Sequence, residues 1–224
     1  MQQAKKTPGQ AQKLTTVKIN KLDPARPAVA LTFDDGPSIY TTRILDTLQQ
    51  NEGRVSFFVS GNKIEEHEGK IYRALNMECE IICHAWNHLD LTKLSSRAIK
   101  KQLFNTIAAI AKISGMVSPM FRPPYGYINK KVEKVAQKLG LAIVNWSVDP
   151  KDWDSQDADA IYNHIACNIQ HGDIVLCHDV YDSTAEAMSR LIPDLLERGC
   201  QLVTVSDLLY HKYGELEPGR LYLN

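Results

Sequence analysis

Seven short apolar runs, alternating with six longer amphipathic stretches, predict an α/β fold built on parallel strands. Three observations carry this reading. The apolar runs are near-continuous, as expected of strands covered by helices. Each run but the last is followed by a stretch long enough for a crossover helix. Capping residues mark the ends of several helical stretches.

In chain order, VALTF (29–33) precedes a helical stretch at 41–51, and RVSFFVS (54–60) precedes 62–76. ECEIIC (78–83) precedes a long amphipathic stretch at 95–113, and SPMF (118–121) precedes 129–139. LAIVNWSV (141–148) precedes 157–170, DIVLC (173–177) precedes 183–198, and QLVTVS (201–206) closes the series as a last strand. Ser95 and Ser96 stand where an N-cap oxygen is needed. Gly140 and Gly199 stand where a helix end needs a left-handed residue. A doubly wound open sheet and a β/α barrel both satisfy this pattern.

The chain has 224 residues, a length that one α/β domain fills. Residues 1–20 read as a flexible polar leader without an apolar signal core, and 21–224 as a single domain. Lys and Arg number 26, as do Asp and Glu, so the formal net charge is zero. A nucleic-acid partner would call for a basic excess, and none is expected. No apolar run is long enough for a membrane span. Nothing in the sequence specifies an oligomeric state. Cys79, Cys83, Cys167, Cys177 and Cys200 make an odd count without a paired framework, which argues against an oxidising compartment.

The unusual polar residues collect at one place. Asp34 and Asp35 follow the first strand, His84 and His88 the third, and Arg122 the fourth. Asp149 and Asp152 follow the fifth, and His178 and Asp179 the sixth. The C-terminal edge of the strands carries the active site in both candidate architectures.

In TFDDGPS (32–38), Gly36-Pro37 ends the strand, so both carboxylates can turn toward that edge. Two carboxylates so close repel unless a cation offsets them, which suggests one metal ligand and one base. A turn or helix cap using one Asp is the plain alternative. In HAWNH (84–88), two imidazoles spaced HxxxH can reach one metal, although this spacing alone is weak. Two His and one Asp leave a coordination position for water.

His178 suits proton transfer near neutral pH, though in isolation a histidine packed at a strand end is the favoured reading. His67, His164, His171 and His211 read as surface residues. RPPYG (122–126) is stiffened by its prolines, which preorganises Arg122 and the Tyr125 amide. DPKDW (149–153) offers a carboxylate to orient a histidine and an aromatic ring to stack on a sugar.

Taken in order, TFDDGP, HAWNH, RPPY, DPKDW and LCHD resemble the five motifs of polysaccharide deacetylases of the NodB-homology type, carbohydrate esterase family 4. The resemblance runs from about Ala28 to Leu209. It implies a distorted (β/α) barrel of seven or eight parallel strands. It implies a divalent metal, commonly zinc and sometimes cobalt or nickel, on Asp35, His84 and His88.

The resemblance further implies that Asp34 is the general base, tuned by Arg122. His178 would be the general acid, paired with Asp152. The Tyr125 amide would stabilise the oxyanion, and Trp153 and Leu176 would line the acetyl pocket. The implied reaction is removal of N-acetyl groups from peptidoglycan or chitin-type glycans at the cell surface or outside it. The alternatives are O-deacetylation of acetylxylan and a silent glycan-binding relative. Two departures stand out. Ala85 occupies a position that usually carries a hydroxyl supporting the metal loop, which implies weaker metal affinity. Cys83 lies next to a ligand, where its thiol could bind or perturb the metal.

Overall fold

The computed structural model describes residues 15–16 and 18–224. The proposed leader therefore falls largely outside the described residues. Of its last part, Thr15–Thr16 (β1) pairs in parallel with Met116–Val117, and the Asn20 amide donates to Asp207.

The remaining elements follow in order. They are Ala28–Asp34 (β2), Thr41–Asn51 (α1), Ser56–Val59 (β3), Glu68–Asn76 (α2), Glu80–Cys83 (β4) and Ser96–Ser114 (α3). Met116–Val117 is β5, and then come Met120–Phe121 (β6), Lys130–Leu139 (α4) and Ala142–Val144 (β7). Asp152–Ser155 (α5), Ala158–Asn168 (α6), Ile174–His178 (β8), Asp182–Glu197 (α7), Gln201–Leu202 (β9), Val205–Tyr213 (α8) and Leu221–Tyr222 (β10) complete the chain.

The main sheet has the order β10-β7-β6-β4-β3-β2-β8, with β9 also on β2, and every pairing is parallel. Its far edge curls back on the segment after β7. The Ser147 amide donates to Ile174 O at 3.0 Å, and the Leu176 amide to Val148 O at 2.9 Å. Val148 and Val175 form an isolated parallel bridge there. The open-sheet alternative is thereby set aside, and the fold is a distorted (β/α) barrel.

Strand side chains alternate with period two. Val29, Leu31 and Phe33 of β2 face outward into the larger core beneath the helices. Ala28 and Ala30 face inward, with Phe58, Ile82, Met120, Val144 and Ile174. Val205, Leu208 and Leu209 of α8 close the barrel floor. The same inward parity continues upward to Asp34, His84, Arg122 and His178, so the register that fills the core also aims these four at the mouth.

Capping follows the sequence reading closely. Ser95 accepts from the Ala98 amide, and Gly140 ends α4 with φ 73°. The expected strand at 201–206 is corrected: β9 stops at Leu202. Thr204 and Asp207 form a reciprocal capping box, which starts α8 inside the expected strand. The expected helix at 62–76 begins at Glu68, after 3₁₀ turns at Gly61–Lys63 and Glu65–His67. Among the described residues no helix is long and apolar enough to cross a membrane.

Candidate active site

A cleft of about 430 Å³ opens at the C-terminal edge of the barrel strands, a size suited to a small-molecule group. Asp34, Asp35, His84, His88, Tyr125, Trp153, Leu176 and His178 line it, eight of the ten residues expected from the sequence. Arg122 and Asp152 stand just behind the wall and hold Asp34 and His178 respectively.

Asp34 ends β2 with its side chain inward. Asp35 then takes φ 72°, a left-handed value that swings its carboxylate to the same side. The two adjacent carboxylates therefore share the mouth instead of pointing to opposite faces. Gly36 makes this turn possible. A Cβ there would lie 2.1 Å from the buried Asp179 carboxylate. Asp179 receives a hydrogen bond from Thr41 Oγ1 at 2.5 Å. Burial, with some help from Asp35, pushes its pKa up to about 7.

Asp35 Oδ1 lies 3.4 Å from His84 Nε2 and 3.2 Å from His88 Nε2. The three ligand atoms fall within 4.8 Å of one another. The His84 ring is fixed from behind: its Nδ1 lies 3.0 Å from Arg122 O. A carbonyl can only accept, so Nδ1 carries the proton and Nε2 presents a lone pair to the cleft. Burial lowers the pKa of His88 against the pull of Asp35, which favours the neutral imidazole that a metal requires. Burial raises the pKa of Asp35, but contact with His84 and the charges of His84, His88 and His178 outweigh it. The net shift is well below the usual carboxylate range.

A metal fits this group on an independent ground. Asp35 Oδ1 is buried and has no hydrogen-bond partner among the described residues. Such an oxygen is costly to leave unsatisfied, and a cation bound by both imidazoles would satisfy it.

The loop that carries the histidines is strained, with φ of 61° at Ala85 and 55° at His88. A side chain supports it that the sequence reading did not find. Gln102 of α3 accepts the Trp86 amide at 2.9 Å and the Asn87 amide at 3.2 Å through one oxygen. Ala85 itself is fully buried and supplies no hydroxyl. Gln102→Ala is expected to weaken metal affinity by about 10–100-fold. Gln102→Glu, which keeps the acceptor, should restore most of it. Competition against a chromophoric chelator reads both.

Cys83 points away from His84 into the outer core, where its Sγ lies 3.9 Å from Leu103 O. Burial pushes its thiol up to about 12, so it is not poised as a thiolate ligand. Contrary to expectation, its thiol does not face the ligand group and is not placed to bind a metal there. All five cysteines are free.

Arg122 is fully buried and donates four hydrogen bonds. Nη1 donates to Asp34 Oδ1 at 2.5 Å and to Thr32 Oγ1 at 2.8 Å. Nη2 donates to Asn145 O at 2.9 Å and Nε to Val144 O at 3.3 Å. Its guanidinium also lies 3.8 Å from the centre of the Phe58 ring. One oxygen of Asp34 is thus pinned, while Oδ2 faces the Asp35–His84–His88 group at 3.7 Å from His84 Nε2.

On the opposite wall Asp152 is fully buried. Its Oδ1 lies 2.7 Å from His178 Nδ1, and its Oδ2 accepts the His178 amide and Thr184 Oγ1, each at 2.7 Å. This fixes the proton on Nδ1 and leaves Nε2 to exchange a proton with whatever occupies the cleft. Burial lowers the His178 pKa. The hydrogen bond and charge of Asp152, with Asp34 and Asp35, outweigh that effect and raise it to about 9.

Tyr125 stands on the rim with φ 61°, its ring 4.5 Å from that of His88. Trp153 is 48% exposed, enough to offer a ring face to ligand, whereas Leu176 is buried in the wall. Trp146, Tyr127 and Tyr181 also line the cleft and were not singled out from the sequence. Trp146 continues the inward parity of Ala142 and Val144 and packs against the same inner cluster, while the Asn145 side-chain amide donates to Gly126 O at 3.1 Å. Of the four histidines read as surface residues, His171 does more than that: its Nδ1 accepts the Ala28 amide at the start of β2.

The chain is similar to known proteins along most of its length. The family described as polysaccharide deacetylase matches residues 21–144, more than half of the chain. The chain is 35% identical over 198 residues to the peptidoglycan-N-acetylglucosamine deacetylase PgdA of Listeria monocytogenes, covering 88% of this chain and 41% of that protein. It thus spans about two fifths of that relative's length.

The solved structure of the peptidoglycan deacetylase PdaC from Bacillus subtilis superposes with a TM-score of 0.82 at 36% identity, covering 86% of this chain and 95% of that one. A family 4 acetyl xylan esterase from Clostridium thermocellum, solved with a cobalt ion, gives 0.80 at 31% identity, covering 87% and 97%. With the family match over most of the barrel and these likenesses along the rest, the chain belongs to the polysaccharide deacetylase family.

Proposed function

We propose that this chain hydrolyses N-acetyl groups from N-acetylglucosamine-containing glycans of the peptidoglycan or chitin type, with a divalent metal held by Asp35, His84 and His88. One juxtaposition supports this above all: a carboxylate pinned by a buried arginine and a histidine held by a buried carboxylate line one cleft with the three-ligand group. Zinc suits this His₂Asp set, and cobalt or nickel can occupy similar ligands.

The bound metal would polarise the acetyl carbonyl and lower the pKa of water. Asp34 accepts the proton of the attacking water through Oδ2, since Arg122 occupies Oδ1. The Tyr125 amide, on the rim, donates to the oxygen that gains charge as the carbonyl carbon becomes tetrahedral. His178 then gives its Nε2 proton to the leaving nitrogen, which departs poorly as an amide anion. Leu176 and Trp153 exclude water around the acetyl methyl. A substrate of this kind places the protein outside the cell or at its surface.

A second reading rests on the acetyl xylan esterase likeness: O-acetyl groups of xylan would meet the same groups. Acetate release from penta-N-acetylchitopentaose and from acetylxylan, with zinc supplied, separates the two. Preference for the amide substrate is expected. Release from acetylxylan alone would replace the N-deacetylase reading with the esterase one, and release from neither would favour a silent glycan binder.

A further inference from the structure

Between Asp90 and Asp149 the chain carries ten Lys and Arg residues and a single acid, Glu133, although its 26 basic and 26 acidic residues cancel overall. The fold gathers six of these cations along one groove between α3 and α4. Arg97 and Lys100 line it from α3, and Lys130, Lys131, Lys134 and Lys138 from α4. Its volume is about 560 Å³. Lys130 is paired with Glu133, and Lys131 donates to Leu94 O. Among the described residues, Arg97, Lys100, Lys134 and Lys138 form no ion pair.

The stripe Lys130, Lys134, Lys138 sets like charges four residues apart on one helix face, an arrangement that destabilises a helix by itself. An anionic ligand would remove that repulsion. The groove also starts where the catalytic cleft ends. Tyr127 lines the cleft, and Lys130 lies three residues further on. The segment after His88 is tied to the start of α4 by Asn129 Nδ2 and Lys131 Nζ, both donating to Thr92 O at 3.3 Å. From that rim α4 carries the groove about 15 Å down the barrel flank.

We propose that this groove binds carboxylate groups borne on side branches of the glycan whose acetyl groups enter the cleft. Lysines predominate, and a flexible ammonium suits mobile anions better than it suits bidentate recognition of one fixed group. The rest of the chain carries a net negative charge that offsets the groove. Outside this segment the acids outnumber the bases by nine, so a long polyanion that ran past the groove would meet a net negative chain, whereas a short anionic branch would not. The groove then makes the protein selective for charged, branched glycans over neutral linear ones. The identity of the glycan rests on the deacetylase reading above; the charge of the ligand does not.

The test compares the wild-type chain with Lys100→Gln/Lys134→Gln/Lys138→Gln. Acetate release is measured from peptidoglycan stripped of phosphodiester polymers, from the same material with its carboxylates amidated, and from penta-N-acetylchitopentaose. The ratio of kcat/KM on native over amidated peptidoglycan is expected to fall about tenfold in the variant. In the wild type that ratio should also fall as salt is raised. Chitopentaose reports whether the variant's cleft is intact.

Co-sedimentation with the same two peptidoglycans gives a readout independent of turnover. Stronger salt-sensitive retention of wild type on the native material supports the groove even if no acetate is released, an outcome that would sink only the deacetylase reading. Equal retention of wild type and variant, or of native and amidated material, overturns the proposal. So would retention that appears only when phosphodiester polymers are left in place, or that duplex DNA abolishes as readily as free carboxylates do.

Discussion

Asp34→Asn is expected to lower kcat/KM by about 10²–10⁴-fold while metal stays bound. Asn cannot accept the proton of the attacking water, yet it keeps the shape of the side chain. The residues that would hold the metal are Asp35, His84 and His88, with Asp34 Oδ2 standing 3.7 Å from His84 Nε2. The substitution also strips the counter-charge from Arg122, a fully buried cation. Removing one partner of a buried ion pair costs about 3–5 kcal/mol when the other is left uncompensated. Here Asn can still accept from Nη1, and Thr32, Val144 and Asn145 still accept from the guanidinium, so the loss should sit below that range. Metal content, melting temperature and acetate release together decide the matter. A folded, metal-loaded and fully active variant would remove Asp34 from the role of base.

His178→Ala should bring the other large loss, with a signature of its own. An amide nitrogen must be protonated before it leaves, whereas an activated acetate ester such as 4-nitrophenyl acetate sheds its alcohol unaided. Activity on N-acetyl substrates should fall by about 10²–10⁴-fold and activity on the ester far less. Equal losses on both would count against His178 as the acid.

The pH profile gives a finer check. His178 must carry a proton to donate one, so activity falls as pH rises through its pKa, which lies at about 9. A dication bound in the cleft would offset the acidic residues nearby and bring this limb below that value. Asp152→Asn removes the strongest influence raising the pKa, while burial still lowers it, so the alkaline limb should shift to lower pH.

Much of the fold could be read in advance because its strands are buried on both sides and punctuated by capping residues. The inward parity of β2, β4 and β8 explains why Asp34, His84 and His178, far apart in sequence, share one mouth. What escaped the sequence depends on tertiary geometry. Val203 and Val205 alternate with polar residues as a strand would, and the apolar pattern concealed the Thr204–Asp207 box that starts α8. Gln102 supports the loop that carries both histidines from the middle of α3, and no local signal distinguishes it from any polar residue on a helix. The carbonyl of Arg122 fixes the His84 tautomer through a backbone atom, which side-chain motifs cannot report. The basic groove escaped because charge was summed over the chain, where its excess is cancelled elsewhere.

The central claim is that Asp35, His84 and His88 hold a metal that the chemistry requires. The measurement that tests it most directly is acetate release from penta-N-acetylchitopentaose by chelator-treated protein as zinc is titrated back. The account predicts no release from the stripped protein, with activity rising to a plateau at one zinc per chain and no such recovery in His84→Ala. Release that persists after complete chelation, or a His84→Ala variant that recovers as the wild type does, would contradict it.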